Sequence, residues 1–180
     1  MRSVLRRPVV VTGLGIAAVL AVVALFVFEP WKLVVDEHVD EAVPPAPTAV
    51  AAPAGPAAAA EPMVLARGEF VAHEHASSGS VVVLGLPDGS RVLRLEDLRT
   101  SNGPKLRVWL SDQPVIEGRD GWHVFDDGRR VDLGGLKGNI GSSNYPVPTD
   151  VDLTELSSVS IWCERFSVSF AAAELRPVTA

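Results

Sequence analysis

The chain has 180 residues, 47% of them apolar, and its 22 acidic against 16 basic side chains leave a net charge of −6. The length and apolar content support a packed core, and the acidic balance argues against nucleic acid or anionic lipid as a partner. One cysteine in the whole chain excludes an internal disulfide, and it cannot by itself build a zinc knuckle or an iron–sulfur site.

The first predicted element is apolar and unbroken. Val9–Phe28 carries no charge, and its polar content is Thr12, Gly13 and Gly15. As a helix at ~1.5 Å per residue it spans about 30 Å, the thickness of a bilayer's hydrocarbon core. Arg2, Arg6 and Arg7 precede the run, and Glu29, Asp36, Glu37, Asp40 and Glu41 follow it. Basic residues stay on the cytoplasmic side, so the reading is a single-pass anchor: residues 1–8 inside, 9–28 in the membrane, the remainder outside. A cleaved leader is the alternative, but its apolar stretch is shorter and ends at a small-x-small site. Here the run ends in Leu25-Phe26-Val27-Phe28, and the first such site, Ala49-Val50-Ala51, comes late. No cysteine follows the run to accept a lipid. Beyond Arg2, Arg6 and Arg7 only 13 bases face all 22 acids, a balance of −9 for the outer part.

Residues 29–63 read as a spacer. Ala42–Pro62 is almost entirely alanine and proline, with no aromatic and no alternation. Such a stretch buries too little apolar surface to offset its ordering entropy, and proline keeps it extended at ~3.1 Å per residue. The expected role is a stand-off arm, with Asp36–Glu41 as an acidic collar and His38 solvated beside it.

Residues 64–178 read as one all-β domain, an antiparallel sandwich or barrel. Ser80–Leu86 is a valine-rich strand, apolar on both faces over Val81–Leu84. Pro87-Asp88-Gly89-Ser90 is a turn, and Arg91–Glu96 is the return arm of the hairpin. Glu96–Thr100 and Leu153–Leu156 are each short enough for one helical turn. In Lys105–Ser111, Leu106, Val108 and Leu110 share one face, and Arg107, Trp109 and Ser111 the other. Trp122–Phe125 and Arg130–Leu133 flank Asp126-Asp127-Gly128-Arg129, which predicts a second hairpin. Gly134–Pro148, rich in Gly, Ser and Asn, reads as a loop whose amides have the chemistry to cradle an anion around Lys137.

The last strand, Val159–Phe170, holds the only cysteine. Val159, Ile161 and Cys163 share a face, while Phe166, Val168 and Phe170 have the opposite parity, so the phase slips at Glu164-Arg165. A bulge would restore it, with Cys163 inward and Trp162 outward. Two readings of Cys163 stand side by side. It is a small buried hydrophobe, inert when buried, or a thiol with redox or ligand chemistry. Among the histidines, His123 sits in a predicted hairpin strand. His73 and His75 would project to one side of an extended segment and clamp a metal. With Cys163 they make two imidazoles and a thiolate, the ligand types of a blue-copper centre, but no histidine or methionine follows the cysteine. Cys-x-x-Cys-His is missing, which excludes covalent haem of the c type. Without a Gly-x-Ser-x-Gly elbow the chain does not read as a hydrolase or as a stand-alone enzyme.

Several pieces then resemble one family in order and spacing. They are Gly68-Glu69-Phe70, His75-Ala76-Ser77-Ser78-Gly79, Leu93–Leu98, Asn102–Leu106 with Trp109-Leu110-Ser111, Leu136–Asn139, Asn144-Tyr145-Pro146 and Val159–Cys163. Together they resemble the electron-transfer DM-thirteen domain across nearly all of Val64–Leu175. The resemblance implies a β-rich extracytoplasmic domain with a characteristic cysteine, matched by Cys163, and a histidine before the Ser-Gly turn, matched by His75. His73 lies outside the pattern, which weakens the two-histidine metal site. The expectation is a membrane-tethered redox module using Cys163, with His75 and Trp162 as cofactor-binding candidates and Trp162 and Trp109 shaping the thiol's surroundings. No cofactor is firmly implied, and the expected partners are the bilayer and a separate envelope redox protein. A non-catalytic envelope binding or adhesion module with a structural cysteine is the competing reading.

Overall fold

The structure is a computed structural model, and it describes residues 2–44 and 61–178. Helix α1 (Arg2–Phe28) includes the apolar run: Pro8–Phe28 has a mean hydropathy of 2.8 and no fully buried residue. It is long and apolar enough to cross a membrane. The helix ends at Glu29, whose φ of 43° turns the chain into a short 3-10 segment, Pro30–Leu33.

Eleven strands follow among the described residues: β1 (His38–Asp40), β2 (Met63–Glu69), β3 (Val71–Ala72), β4 (Ser78–Gly85), β5 (Arg91–Arg99), β6 (Leu106–Ser111), β7 (Arg130–Gly135), β8 (Ile140–Val147), β9 (Ser158–Cys163), β10 (Val168–Glu174) and β11 (Arg176–Pro177). They form two sheets, ordered β1-β8-β5-β4-β2-β11 and β3-β10-β9-β6-β7. Every pairing is antiparallel except β1 with β8. The expected all-β, antiparallel-rich domain after an N-terminal apolar helix is therefore present. The alternating residues of both sheets meet in one core, with Val81, Val83, Leu93 and Leu95 on one side and Val108, Leu110, Val159 and Ile161 on the other. Burial of each such side chain contributes about 1.5–3 kcal/mol. A second, smaller cluster of Trp109, Phe125, Trp162 and Ala172 lies on the opposite face of β6, β9 and β10.

Several local expectations change. Val159–Phe170 is two strands, not one with a bulge. Cys163 ends β9, Glu164–Ser167 turns the chain, and Val168 pairs directly with Cys163. The parity slip in the sequence is a hairpin reversal, with Ser167 taking the positive φ (49°) that a tight turn needs. Trp122–Phe125 forms no strand; it is turn, and it lays Phe125 over the second cluster. Glu96–Thr100 is no helical turn, because β5 continues to Arg99 through an irregularity at Asp97 (φ 50°). Leu153–Leu156 does form one turn, closed by the Leu156 amide on the Asp152 carbonyl at 2.9 Å. The Gly-rich stretch read as a loop becomes β8 over Ile140–Val147.

The largest difference concerns the stretch after the helix. The expectation for residues 35–42 is a solvated spacer; the side chains of Asp36, Glu37, His38 and Asp40 are indeed exposed, but the segment is seated on the domain. Asn102 Nδ2 donates to the Val35 carbonyl at 3.0 Å, and Asn139 holds both the Glu37 amide (2.7 Å) and the Asp36 carboxylate (2.8 Å). His38, Val39 and Asp40 pair with Ile140, Gly141 and Ser142. Glu41 closes the junction. Its carboxylate accepts from Lys137 Nζ (2.8 and 3.0 Å) and the Asn144 amide (2.7 Å), and its carbonyl accepts from buried Arg94 (2.8 Å). Glycines make the space: a Cβ at Gly138 would crowd the Glu37 carbonyl and Val39, and one at Gly141 (φ 108°) would overlap the Val39 carbonyl.

Since β1 and β2 lie in the same sheet, the Pro/Ala-rich stretch connects two strands of one domain. The distance across β8, β5 and β4 is about 19 Å at ~4.8 Å per strand, well within the reach of some twenty residues. The stand-off function assigned to Ala42–Pro62 therefore has no support from the fold. Its central residues, 45–60, lie outside those described.

Two outcomes are expected. Gly141→Ala should cost about 1–3 kcal/mol through its positive φ and the lost seat for Val39, and amide exchange at 38–40 should rise at least tenfold. Lys137 and the Asn144 amide hold the Glu41 carboxyl below its ordinary 4.5. Its contribution is present above that pH and is lost as pH falls through the lowered value. The protection of β1 amides, taken relative to the intrinsic exchange rate at each pH, should therefore fall below pH 4.5, and Glu41→Gln should remove most of that dependence.

Candidate functional site

Strand register brings the chemistry-bearing residues to one end of the sandwich. Ser78 pairs with Arg99 and Arg99 with Ile140; in the other sheet Leu106 and Val168 both pair with Cys163. The short link from Arg99 to Leu106 ties these ends together, so His75, Thr100, Asn102–Lys105, Asn139 and Cys163 share it. The turn at Asp88–Ser90 marks the other end, about 27 Å away along the eight residues of β4. Most of the quoted family pieces have residues at this end, though they are scattered along 100 residues of sequence.

Cys163 faces the main core, as parity predicts, and is fully buried. Its thiol donates to the Pro104 carbonyl at 3.3 Å. Burial pushes its pKa above the ordinary 9.0, and the Phe166 and Arg165 amides act in the opposite direction. The resting state is thus a protonated, hydrogen-bonded thiol, with the thiolate disfavoured by desolvation. Its cover on the outer side is thin. Cys163 is the last residue of β9, and Glu164, Phe166 and Ser167 of the next turn are exposed. Lys105, which flanks the sulfur's acceptor, has a positive φ of 53° and accepts the Glu164 amide at 3.2 Å. Two left-handed non-glycine residues, Lys105 and Ser167, therefore border the thiol.

The histidines separate. The chain bends through His73–His75, so the two rings do not share a side, and the metal clamp expected of them is not formed. His73 is buried on the outer face, with Nδ1 2.9 Å from Ser169 Oγ and its ring 5.9 Å from Phe125. Among the described residues its Nε2 makes no hydrogen bond of ordinary geometry, and burial holds its pKa below the ordinary 6.5, with the Ile116 carbonyl acting in the opposite direction. His75 lies 4.0 Å, centroid to centroid, from Phe170, a main-core residue, and Nε2 is 3.6 Å from the Glu74 carboxylate. Of these two, His75 is therefore the one on the Cys163 side of the sheet. Among the described residues no group of three or more His, Cys, Asp or Glu side chains is arranged to hold a metal ion.

The tryptophans are placed differently from expectation. Trp162 and Trp109 stack at 4.9 Å and 22°, with the Arg130 guanidinium 4.6 Å over Trp109. Both rings lie across the sheet from Cys163, in the second cluster. They stiffen β6 against β9 and do not wall the sulfur. The anion chemistry read around Lys137 is present, but the anion is the chain's own Glu41. Sequence reading missed the Pro104 acceptor and the cover over the thiol. The Asn102-Gly103-Pro104 turn signal was the available hint.

A cleft of about 360 Å³ opens beside this end, between the segment after the helix and the domain; Lys32, Glu37, Asn102, Lys105, Arg107 and Glu164 contribute to its lining. Arg107 is already engaged by Asp132 at 3.0 Å.

A protein-family model described as Electron transfer DM13 matches residues 69–175. No curated protein and no solved structure gives a significant match.

The raised thiol pKa has a measurable consequence. On unfolding, Cys163 ionises near 9.0 while the folded thiol keeps its proton, so stability is complete below that value and falls as pH rises toward the folded one. Between pH 8.5 and 9.5, below the ordinary 10.0 of buried Tyr145, urea titrations should show declining stability. Cys163→Ser should flatten that slope and cost about 1–3 kcal/mol at pH 7.

Proposed function

We infer the function from the family to which this chain belongs, the electron-transfer DM13 domains: it is a membrane-anchored redox module, held on the extracytoplasmic side by α1. The charge asymmetry around the helix supports that orientation, with Arg2, Arg6 and Arg7 before it and five acids within the next 13 residues. The observation that carries the redox reading is the position of Cys163. It ends a strand beneath one exposed turn, with two backbone amides favouring the thiolate and a carbonyl holding the thiol.

A single cysteine needs a partner. In the simplest step that balances, the Cys163 thiol loses its proton and attacks one sulfur of a partner's disulfide. A new S–S bond forms, and the partner's other sulfur leaves as thiolate and takes up a proton. The buried, protonated thiol does not do this while the 164–167 turn is closed, so the turn gates the chemistry. His75, the imidazole on the same side, is the candidate base. The proposed partner is a separate envelope redox protein.

Complete burial and the raised pKa favour a second reading: a binding or adhesion module in which Cys163 is packing. Native-state thiol labelling separates the two. If the turn opens locally, labelling in the folded chain keeps a nearly constant rate from 0 to 1.5 M urea. If the sulfur is reached only by global unfolding, the rate climbs about tenfold per molar urea or more. The second result would remove the basis for thiol chemistry and leave the binding module.

A further inference from the structure

We propose that the Cys163 end of the domain rests on the surface of the bilayer that α1 crosses, through exposed aromatic side chains. The proposal uses the anchor reading of α1 and is independent of whether Cys163 is redox-active. Three observations carry it.

The first is reach. Only six residues separate Phe28, the last of the helix, from Val35, whose carbonyl is held by Asn102. Four of them, Pro30–Leu33, form a 3-10 segment rising ~2 Å per residue. The Asn102–Lys105 loop can therefore stand no more than about 20 Å from the helix end. With β1 seated on β8, no free linker lets the domain lift away.

The second is direct contact. Phe166, at the crown of the turn that covers Cys163, stacks on Phe28, with centroids 6.1 Å apart and planes 15° apart. Both rings are about half exposed (48% for Phe28, 52% for Phe166), as is Trp31 at 45%. One stacked aromatic pair, with Trp31 three residues further along the chain, thus lies where a membrane-spanning helix leaves the hydrocarbon, the level at which aromatic side chains are enriched.

The third is charge. Lys32, Arg99, Lys105, Arg107 and Arg165 lie at this end, and so do Glu29, Asp36, Glu37, Glu74 and Glu164. Lys32 is paired with Glu29 at 3.0 Å. Balanced charge gives no reason for anionic lipid, so the occupant is the neutral headgroup–acyl boundary, held by aromatic insertion. A partner that reaches the thiol through the 164–167 turn would then approach it at the membrane surface.

The test uses the full chain in nanodiscs of phosphatidylcholine. A fluorescent label is placed by Phe166→Cys or, at the opposite end, by Asp88→Cys, each with Cys163→Ser. Quenching by lipids brominated or spin-labelled near the headgroup is recorded at low and high salt. The label at 166 should be quenched at least fivefold more than the label at 88, with no loss in high salt. Equal quenching at the two positions would overturn the proposal, and quenching abolished by salt would replace it with charge-driven adsorption. Release of the chain from native membranes by carbonate would remove the anchor reading itself, a failure distinct from that of the docked end. If Cys163→Ser perturbs the fold, as judged by thermal melting, the labels go into the unaltered background with brief labelling, where the buried thiol stays unreacted.

Discussion

The parallel pairing of β1 with β8 is the constraint on which the molecule's organisation depends. It is a short ladder of three residues, too short to persist alone. It persists because its flanks are tied: Asn139 and Asn102 hold residues 35–37, and Arg94, Lys137 and Asn144 hold Glu41 and Ala42. The two missing Cβ atoms at Gly138 and Gly141 let the backbones approach. Without that seat the helix would be joined to the sandwich by a loose tether. With it, one particular end of the sandwich stays near the helix terminus.

The cysteine lies at that same end, and the coincidence gives the site its character. A thiol at the end of a strand is buried in one sense and superficial in another. Aliphatic residues of two sheets surround it on the core side, and desolvation keeps it protonated. On the other side there is a four-residue turn with an exposed aromatic and a backbone angle that non-glycine residues seldom adopt. Local opening of such a turn is less costly than unfolding the sheets. The proposed redox role therefore rests on conformational access to the sulfur more than on a perturbed side chain.

The outer face of the second sheet is separate from this. His73, Ser169 and Ser160 form a hydrogen-bonded chain, and the stacked tryptophans lie nearby, all covered by the turn-rich stretch from Val115 to Phe125. That arrangement stabilises β6, β9 and β10 as a unit. It fixes the strand whose last residue is Cys163, and through that strand it bears on the site without touching the sulfur.

The all-β class, the hairpin at Asp88-Gly89, the inward parity of Cys163 and the family were legible in the chain because each is written in local periodicity, turn chemistry or the order of short motifs. The apolar helix was legible for the same reason. What tertiary structure alone decided is non-local. The bend at His73–His75 sends two imidazoles to opposite faces of a sheet, which spacing in an extended segment cannot foretell. Trp162 and Cys163, adjacent in sequence, point to opposite sides of that sheet and belong to different clusters. Above all, the acidic residues after the helix look like solvated spacer until the glycines and Lys137, about 100 residues later, are folded against them. A partner so distant leaves no periodic trace in either segment, so only the assembled sheet could reveal that Glu41 is a structural anion and that the domain is held close to its helix.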